Sequence, residues 1–206
     1  MSETKSFLGD VYDLRAAEDV RALYRDWAPD YDEELRGAGY ASPSRCAEAL
    51  AGAAEDLAAP VLDLGCGTGL SGLALKAAGF STIDGADVSP EMLAAAEATG
   101  VYRRLVPIAP DGSPPGEPGE HAHVAAVGVL GPGHAPAETV HAVMRLLPPG
   151  GCFVFTLNDH ALADRRFEGA VREVVDAGWA RLLLREHGDH LPGIGLSATV
   201  YLLQRC

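Results

Sequence analysis

The sequence predicts an α/β fold in which a mostly parallel β-sheet is covered by helices on both faces. The strongest support comes from residues 61–79, where an apolar strand leads into three closely spaced glycines and then into a helix that stops at Gly79. A second strand and helix follow at residues 81–99, and the rest of the chain continues to alternate. This alternation is typical of parallel sheets, because successive parallel strands need a long crossover connection.

Apolar periodicity and turn residues set the predicted bounds of each element. Two helices come first, at residues 16–36 and 43–58, separated by Gly37, Gly39 and Pro43. Seven strands are predicted near residues 60–64, 81–86, 101–106, 122–129, 151–157, 179–187 and 195–203. The later helices are predicted near residues 70–78, 90–99, 136–147 and 161–177. No helix separates the last two strands, so they should form an antiparallel hairpin at the sheet edge.

Length and composition favour a single domain over residues 1–206. The chain has 206 residues, of which 48% are hydrophobic, and this is enough to bury a sizeable core. We divide the domain into an N-terminal helical cap at residues 1–58 and a sheet-containing core at residues 59–206. Eight of the thirteen residues at 107–119 are Pro or Gly, which predicts an extended surface loop there.

Charge and hydropathy argue against several classes of partner, although an RNA or protein substrate held locally stays open. The net charge is −13, and no basic cluster is longer than an Arg-Arg pair, so no nucleic-acid-binding surface is expected. The first residues lack the apolar core of a signal peptide, and no apolar run reaches membrane length. The expectation is a cytoplasmic protein that contacts no membrane, as a monomer or a homodimer.

The cysteines and histidines do not suggest a metal site. Four cysteines are scattered without a C-x-x-C pair, which argues against both a zinc site and a disulfide framework. The pairs His121/His123 and His187/His190 have a loose metal-like spacing, but no cysteine or carboxylate set accompanies them. No metal is therefore expected.

Residues 61–70, Val-Leu-Asp-Leu-Gly-Cys-Gly-Thr-Gly-Leu, carry the most functional information. Glycines at 65, 67 and 69 follow Asp63, and this geometry brings a nucleotide against bare backbone. The dinucleotide fingerprint G-x-G-x-x-G would need glycine at position 70, where the chain has Leu70, so a nicotinamide-dependent dehydrogenase fits poorly. The simpler alternative is a glycine turn that serves only strand-to-helix packing.

The string Asp-Leu-Gly-Cys-Gly-Thr-Gly resembles motif I of the class I S-adenosylmethionine (SAM) methyltransferases. The resemblance implies that SAM and its demethylated product, S-adenosylhomocysteine, bind there. The carboxylate of Asp63 would favour the cationic amino group and sulfonium, while the amides of the loop face the SAM carboxylate. The loop residues concerned are Gly65, Cys66, Gly67, Thr68 and Gly69.

Asp87 is predicted to end the second strand, roughly 20 residues past the glycines, where an acid hydrogen-bonds the ribose hydroxyls. Ser89 then serves as a helix N-cap and Pro90 takes the first helical position. Asp84 is the rival acid but lies in mid-strand, and Asp87 could also be an ordinary turn aspartate. Next to it, Val88 is assigned to the cofactor site, and Met92 packs either on the adenine or in the core.

Residues 24–32 resemble the W-A-x-x-Y-D helix that precedes motif I in many small-molecule methyltransferases. Trp27 and Tyr31 are four residues apart and share one helix face. The resemblance implies a helical lid over the SAM pocket, in which these aromatics meet the cofactor or line the substrate entrance. In the alternative interpretation they only attach the helix to the core.

Further matches at Gly39-Tyr-Ala-Ser-Pro43 and at residues 127–134 extend the resemblance over nearly the whole chain. They are similar to the methyltransferase-like group that includes the Williams–Beuren region protein. This resemblance implies a Rossmann-like sheet of seven strands in the order 3-2-1-4-5-7-6, with strand 7 antiparallel. It also implies that Val127 lies at the cofactor and Tyr40 at the substrate.

Two departures from the family pattern leave two function classes open. Many relatives have an acid just after strand three, whereas in this chain the nearest acid, Asp111, comes slightly later in the sequence. Many also have an aromatic-Asp pair at the start of strand four, whereas this chain has His121-Ala122 there. The first class is a SAM-dependent methyltransferase that acts on a small molecule. The second is a SAM-binding accessory or regulatory protein without transferase activity, which the loss of the strand-four acid would favour.

Methyl transfer from a sulfonium is an in-line displacement that depends mainly on holding the acceptor against the methyl group, an effect worth up to ~7–11 kcal/mol. A general base is needed only if the acceptor must lose a proton. Candidates follow strands four and five, at the carboxyl edge of the sheet: His134, Asn158 and His160. His134 is the candidate base as well as a substrate contact. Alternatively, it is a loop histidine that caps a helix beginning near Pro136.

Overall fold

The strands form one seven-stranded sheet in a computed structural model that describes residues 32–109 and 113–206. The strand order is β3-β2-β1-β4-β5-β7-β6, and β7 runs antiparallel to both of its neighbours. The bounds are β1 Val61–Leu64, β2 Ile83–Asp87, β3 Arg104–Pro107, β4 His123–Ala126, β5 Cys152–Asn158, β6 Ala180–Leu191 and β7 Leu196–Arg205. The predicted topology is confirmed.

Helices occupy both faces of the sheet. They are α1 Ser42–Ala53, α2 Leu70–Ala77, α3 Pro90–Ala98, α4 Thr139–Leu146, α5 Asp159–Ala163 and α6 Arg165–Asp176, with a 3₁₀ turn at Pro192–Ile194. Residues 32–37, ahead of α1, are also helical. None of the helices in these two described ranges is both long enough and apolar enough to cross a membrane.

The core consists of two apolar layers because side chains alternate between the faces of each strand. On β5, Phe153 and Phe155 point into the layer formed with α4 and α6. Their neighbours Cys152 and Val154 point into the layer formed with α1 and α2. Burial on both faces explains why β1, β4 and β5 consist almost entirely of covered residues.

Parallel register brings the functional segments to one edge of the sheet. Leu64, the last residue of β1, lies beside Ala86, the penultimate residue of β2. Ala125 of β4 lies beside Asp63. The glycine turn, Asp87 and the loop after β4 therefore all leave the sheet at its carboxyl edge, where ligands of such sheets bind.

Several predicted bounds were wrong, and each error has a local cause. The helix predicted at 43–58 ends at Ala53, because Ala54 is extended. The helix predicted at 161–177 is divided by Asp164, which is extended and whose side chain accepts a hydrogen bond from the Arg166 amide. The fourth strand stops at Ala126, and Gly128 follows with a φ of +73°. The sixth strand continues to Leu191, because β7 pairs with it along that whole length.

Candidate functional site

The glycine turn joins β1 to α2 and is fastened to the neighbouring strand. The amides of Gly65 and Cys66 donate to the carbonyl of Ala86 at 2.7 and 3.0 Å. Gly65 has a φ of +71°, and a Cβ there would collide with the side chain of Val129. Gly67 has a φ of +52° and borders open space. The turn therefore needs glycine for its conformation and presents bare backbone to a ligand.

Asp87 lies at the end of β2, as predicted, and faces the glycine turn. Its Oδ2 accepts from the Gly67 amide and its Oδ1 from the Ser89 amide, both at 2.9 Å. Burial raises the pKa of this carboxyl, although the backbone hydrogen bonds oppose the effect. Each carboxylate oxygen still has a lone pair for a further donor. Ser89 is the predicted N-cap of α3, since its hydroxyl accepts from the Met92 amide at 3.2 Å.

The rival acid Asp84 lies near the other end of β2, where it accepts hydrogen bonds from side chains. Arg103 donates two hydrogen bonds to it, at 2.9 and 2.6 Å, and the Nε2 of His121 lies 2.9 Å from its Oδ2. Because β1 and β4 pair with Val61 beside His123, residues 121–122 lie at the amino edge of the sheet, opposite the glycine turn. The missing strand-four acid is therefore remote from the candidate cofactor site, and its loss does not favour a degenerate site.

Asp63 is fully buried beneath the glycine turn. Its Oδ2 accepts from the hydroxyls of Ser71 and Tyr102, both at 2.7 Å. Its Oδ1 has no hydrogen-bond partner among the residues that the structure describes. Burial raises the pKa of Asp63 to about 6, the two hydroxyl donors lower it, and the charge of Asp87 raises it. A buried carboxylate oxygen without a partner is rare in proteins.

The sequence interpretation did not include Ser71 or Tyr102. Their contacts with Asp63 span 8 and 39 residues along the chain, so no short motif reveals them. One signal was available: Gly72 lies inside α2 and Gly85 inside β2, where glycine costs stability. The aromatic ring of Tyr102 occupies the space that their missing side chains leave.

The segment before α1 reaches both the glycine turn and the loop after β4. The hydroxyl of Thr68 donates to Oδ1 of Asp32 at 2.5 Å. Tyr40 packs edge-on against His190, with ring centroids 5.3 Å apart, and its hydroxyl lies 2.9 Å from where a Cβ of Gly128 would stand. The predicted lid residues Trp27 and Tyr31 lie outside the described residues, as does Asp111.

Two of the predicted acceptor residues lie near the carboxyl ends of β4 and β5, His134 on the loop after β4 and Asn158 as the last residue of β5. His134 closes a turn through its amide, which donates to Gly131, and its Nδ1 lies 3.2 Å from the carbonyl of Pro132. Burial lowers the pKa of His134. It does not cap a helix beginning near residue 136, because α4 begins only at Thr139. Asn158 is the N-cap of α5, and its carbonyl oxygen accepts from the Ala161 amide at 2.8 Å.

The other predicted contacts differ in exposure. Met92 is 3% exposed and Val127 8%, whereas Val88 is 38% exposed.

His160 lies in α5, and His187 hydrogen-bonds Thr199. Within residues 32–109 and 113–206, no three His, Cys, Asp or Glu side chains converge as a metal-ligand set.

Comparison with known proteins places these features in one family. A family model described as a methyltransferase domain matches residues 61–151. Human methyltransferase-like protein 27 is 32% identical in an alignment 172 residues long, and the alignment covers 79% of this chain and 69% of that protein.

Solved structures agree on the fold. A TehB-like SAM-dependent methyltransferase from Corynebacterium glutamicum superposes with a TM-score of 0.60 at 20% identity, covering 90% of this chain and 99% of that one. A geranyl diphosphate methyltransferase in complex with SAM gives a TM-score of 0.57 at 13% identity, covering 79% of this chain and 85% of that one. The predicted resemblance to class I methyltransferases is confirmed.

Proposed function

The chain belongs to the family of class I SAM-dependent methyltransferases, and we propose from that premise that it moves the SAM methyl group to a small-molecule acceptor. The observation that carries this proposal is the pairing of the glycine turn with Asp87 at the carboxyl edge of the sheet. Asp87 Oδ2 and the Gly67 amide are 2.9 Å apart, so an acid and bare backbone adjoin at one place. This combination suits a ligand that carries both a ribose and an amino-acid group.

Two sets of residues would hold the two ends of SAM. Asp87, with Val88 and Met92 just after it, would receive the adenosine, since a carboxylate accepts from vicinal hydroxyls. Asp63 and the turn Gly65–Gly69 would receive the methionine end, whose ammonium and carboxylate suit an acid and backbone amides respectively. Trp27 and Tyr31 of the predicted lid, together with the buried Val127, would complete the proposed cofactor site. SAM supplies an electrophilic methyl group on a sulfonium.

The acceptor would lie beside the loops after β4 and β5. The Tyr40 hydroxyl lies beside Gly128, and His134 and Asn158 lie near the carboxyl ends of β4 and β5, so three polar side chains border the place proposed for the acceptor. Proximity then provides most of the acceleration. If the acceptor is a hydroxyl or an amine, the neutral imidazole of His134 would accept its proton, and its lowered pKa keeps it neutral at physiological pH.

The charge of the protein supports a small acceptor over a nucleic acid. The net charge is −13, and a phosphate backbone would be repelled by such a surface. With the proposed division into a cap at residues 1–58 and a core at residues 59–206, the acceptor would lie between the two, because Tyr40 belongs to the cap and His134 to the core.

Binding and turnover test the proposal separately. Titration calorimetry should detect SAM and S-adenosylhomocysteine binding, and Asp87→Ala should weaken both by roughly 1.5–3 kcal/mol, since two ribose hydroxyls lose a charged acceptor. Asp176→Ala, at the exposed end of α6, is the matched control and should bind as wild type does. Methyl label should then pass from SAM to a member of a metabolite panel. Absence of SAM binding would refute the proposal, whereas binding without transfer to any acceptor would favour the accessory role.

A further inference from the structure

We propose that Tyr102 is a positioning residue for the cofactor, which together with Ser71 holds Asp63 so that its free oxygen receives the ammonium group of SAM. This inference rests on the proposed function. It adds one specific interaction to the site, in which a tyrosine from the segment before β3 orients an acid on β1.

The hydrogen bonds around Asp63 are one-sided. The hydroxyls of Tyr102 and Ser71 both donate to Oδ2, each at 2.7 Å, and neither reaches Oδ1. Two donors that converge on one oxygen from different elements fix the rotation of the carboxylate. The other oxygen is left buried and without a partner among the described residues. A buried acceptor in that state costs stability, so it indicates a donor supplied by a ligand.

Tyr102 is held in place by three glycines on separate elements. A Cβ at Gly72 of α2 would collide with its hydroxyl, and a Cβ at Gly85 of β2 would lie 2.9 Å from its Cδ1. A Cβ at Gly69, in the cofactor turn itself, would lie 3.3 Å from its Cε2. The backbone of the turn, the helix and the strand thus all leave room for this one ring. Its position is therefore coupled to that of the glycine turn.

The charge at Asp63 calls for a cationic ligand. The ionisable groups that face it are Cys46 from α1, Cys66 from the turn, Asp87 from β2 and Tyr102. Burial raises the pKa of Cys46 to about 12 and that of Cys66 further still, so both thiols are neutral at physiological pH. The remaining charged neighbour, Asp87, is itself an acid. An ammonium group next to Oδ1 would supply the opposite charge that these neighbours do not.

The proposal predicts a pH-dependent defect. An ammonium ligand needs the ionised form of Asp63, and the hydroxyl of Tyr102 stabilises that form. Tyr102→Phe keeps the ring but removes the donor, so the pKa of Asp63 rises further. At pH 6 the affinity for S-adenosylhomocysteine should fall about tenfold, and at pH 8 most of it should return. Ser71→Ala should shift the pH profile in the same direction.

Titration calorimetry with S-adenosylhomocysteine between pH 5.5 and 8 makes this test. The matched control is Tyr201→Phe, which removes another buried hydroxyl, one that donates to Glu168 at 2.7 Å far from the turn. A second probe, 5′-methylthioadenosine, keeps the adenosine but lacks the ammonium and carboxylate groups. Its affinity should be the same in Tyr102→Phe and wild type.

The outcomes separate the inference from the proposed function. If wild type does not bind S-adenosylhomocysteine, the proposed function fails. If wild type binds it but Tyr102→Phe has an unshifted pH profile, or loses 5′-methylthioadenosine equally, Tyr102 has only a structural role and the inference is overturned. If Tyr102→Phe does not fold, as judged by circular dichroism, Ser71→Ala decides by the same two criteria.

Discussion

Replacing Asp63 by asparagine should stabilise the protein at pH 8 while weakening cofactor binding. Burial raises the pKa of Asp63 from an ordinary 3.8 to about 6 in the folded state. Between these values the folded chain binds a proton that the unfolded chain has released, so the free energy of unfolding falls as pH rises. The difference between the two pKa values corresponds to roughly 3 kcal/mol by pH 8. Asn keeps the shape and an acceptor for Ser71 and Tyr102 but carries no charge at any pH, so Asp63→Asn escapes this loss.

Asp84, on the adjacent strand β2, provides a control because its pKa is shifted in the opposite direction. It is 1% exposed, as inaccessible as Asp63. Burial alone would raise its pKa, but hydrogen bonds from Arg103 and His121 and the charges of Arg103 and Arg104 outweigh burial and lower it. An acid with a lowered pKa contributes stability above its ordinary pKa and loses it as pH falls through the folded value. Asp84→Asn should therefore destabilise the protein at pH 8, with a smaller effect in acid.

Urea unfolding of the ligand-free protein, followed by circular dichroism from pH 4 to pH 8, measures both effects. Wild type should lose stability relative to Asp63→Asn across this range, most of it between pH 4 and pH 7. The reasoning is refuted if wild type and Asp63→Asn change in parallel with pH, or if Asp63→Asn is the less stable protein at pH 8. The functional cost is measured with S-adenosylhomocysteine, whose affinity for Asp63→Asn should be lower at every pH.

Two further predictions concern the lid and the acceptor side. On SAM binding, the amides of residues 32–37 should gain protection from hydrogen exchange. Thr68→Val should reduce that gain, because it removes the hydrogen bond to Asp32. If hydrogen exchange in this segment does not depend on the ligand, the lid interpretation is contradicted. His134→Ala should cut transfer roughly 10²–10⁴-fold with SAM affinity nearly unchanged if the imidazole is the base. In that case wild-type activity should also persist below pH 6.5, because the pKa of His134 is lowered and its imidazole stays neutral there. Full turnover by His134→Ala would instead show that proximity is the main source of the acceleration.

The parts of the site that follow strand ends were predictable because local spacing determines them. Glycines at 65, 67 and 69 and the acid at Asp87 lie where a strand stops and a helix starts, so their neighbours in the chain indicate their place in the fold. The order of the strands came from family resemblance and not from periodicity. The helix break at Asp164 was missed, because the apolar pattern continues through it and only the cap contact reveals the break.

Contacts between distant segments were not predictable from local patterns. Tyr102 and Asp63 are 39 residues apart, and the bond between Thr68 and Asp32 spans 36 residues. Neither pair has a characteristic spacing, because the sheet topology and not the local chain direction brings them together. The departure at His121-Ala122 was linked to the cofactor site for the same reason, whereas the register of β4 places these two residues at the opposite edge of the sheet.

The position of β7 between β5 and β6 has a genetic consequence. During synthesis β6 leaves the ribosome before β7, and it has no partner in the sheet until residues 196–205 emerge. A premature stop codon before Leu196 would remove β7 and also detach β6, whose one neighbouring strand among residues 32–109 and 113–206 is β7. The apolar edge of β5 would then be open to aggregation. Nonsense and frameshift alleles in this hairpin should therefore behave as complete loss-of-function alleles, although they encode every residue of the glycine turn.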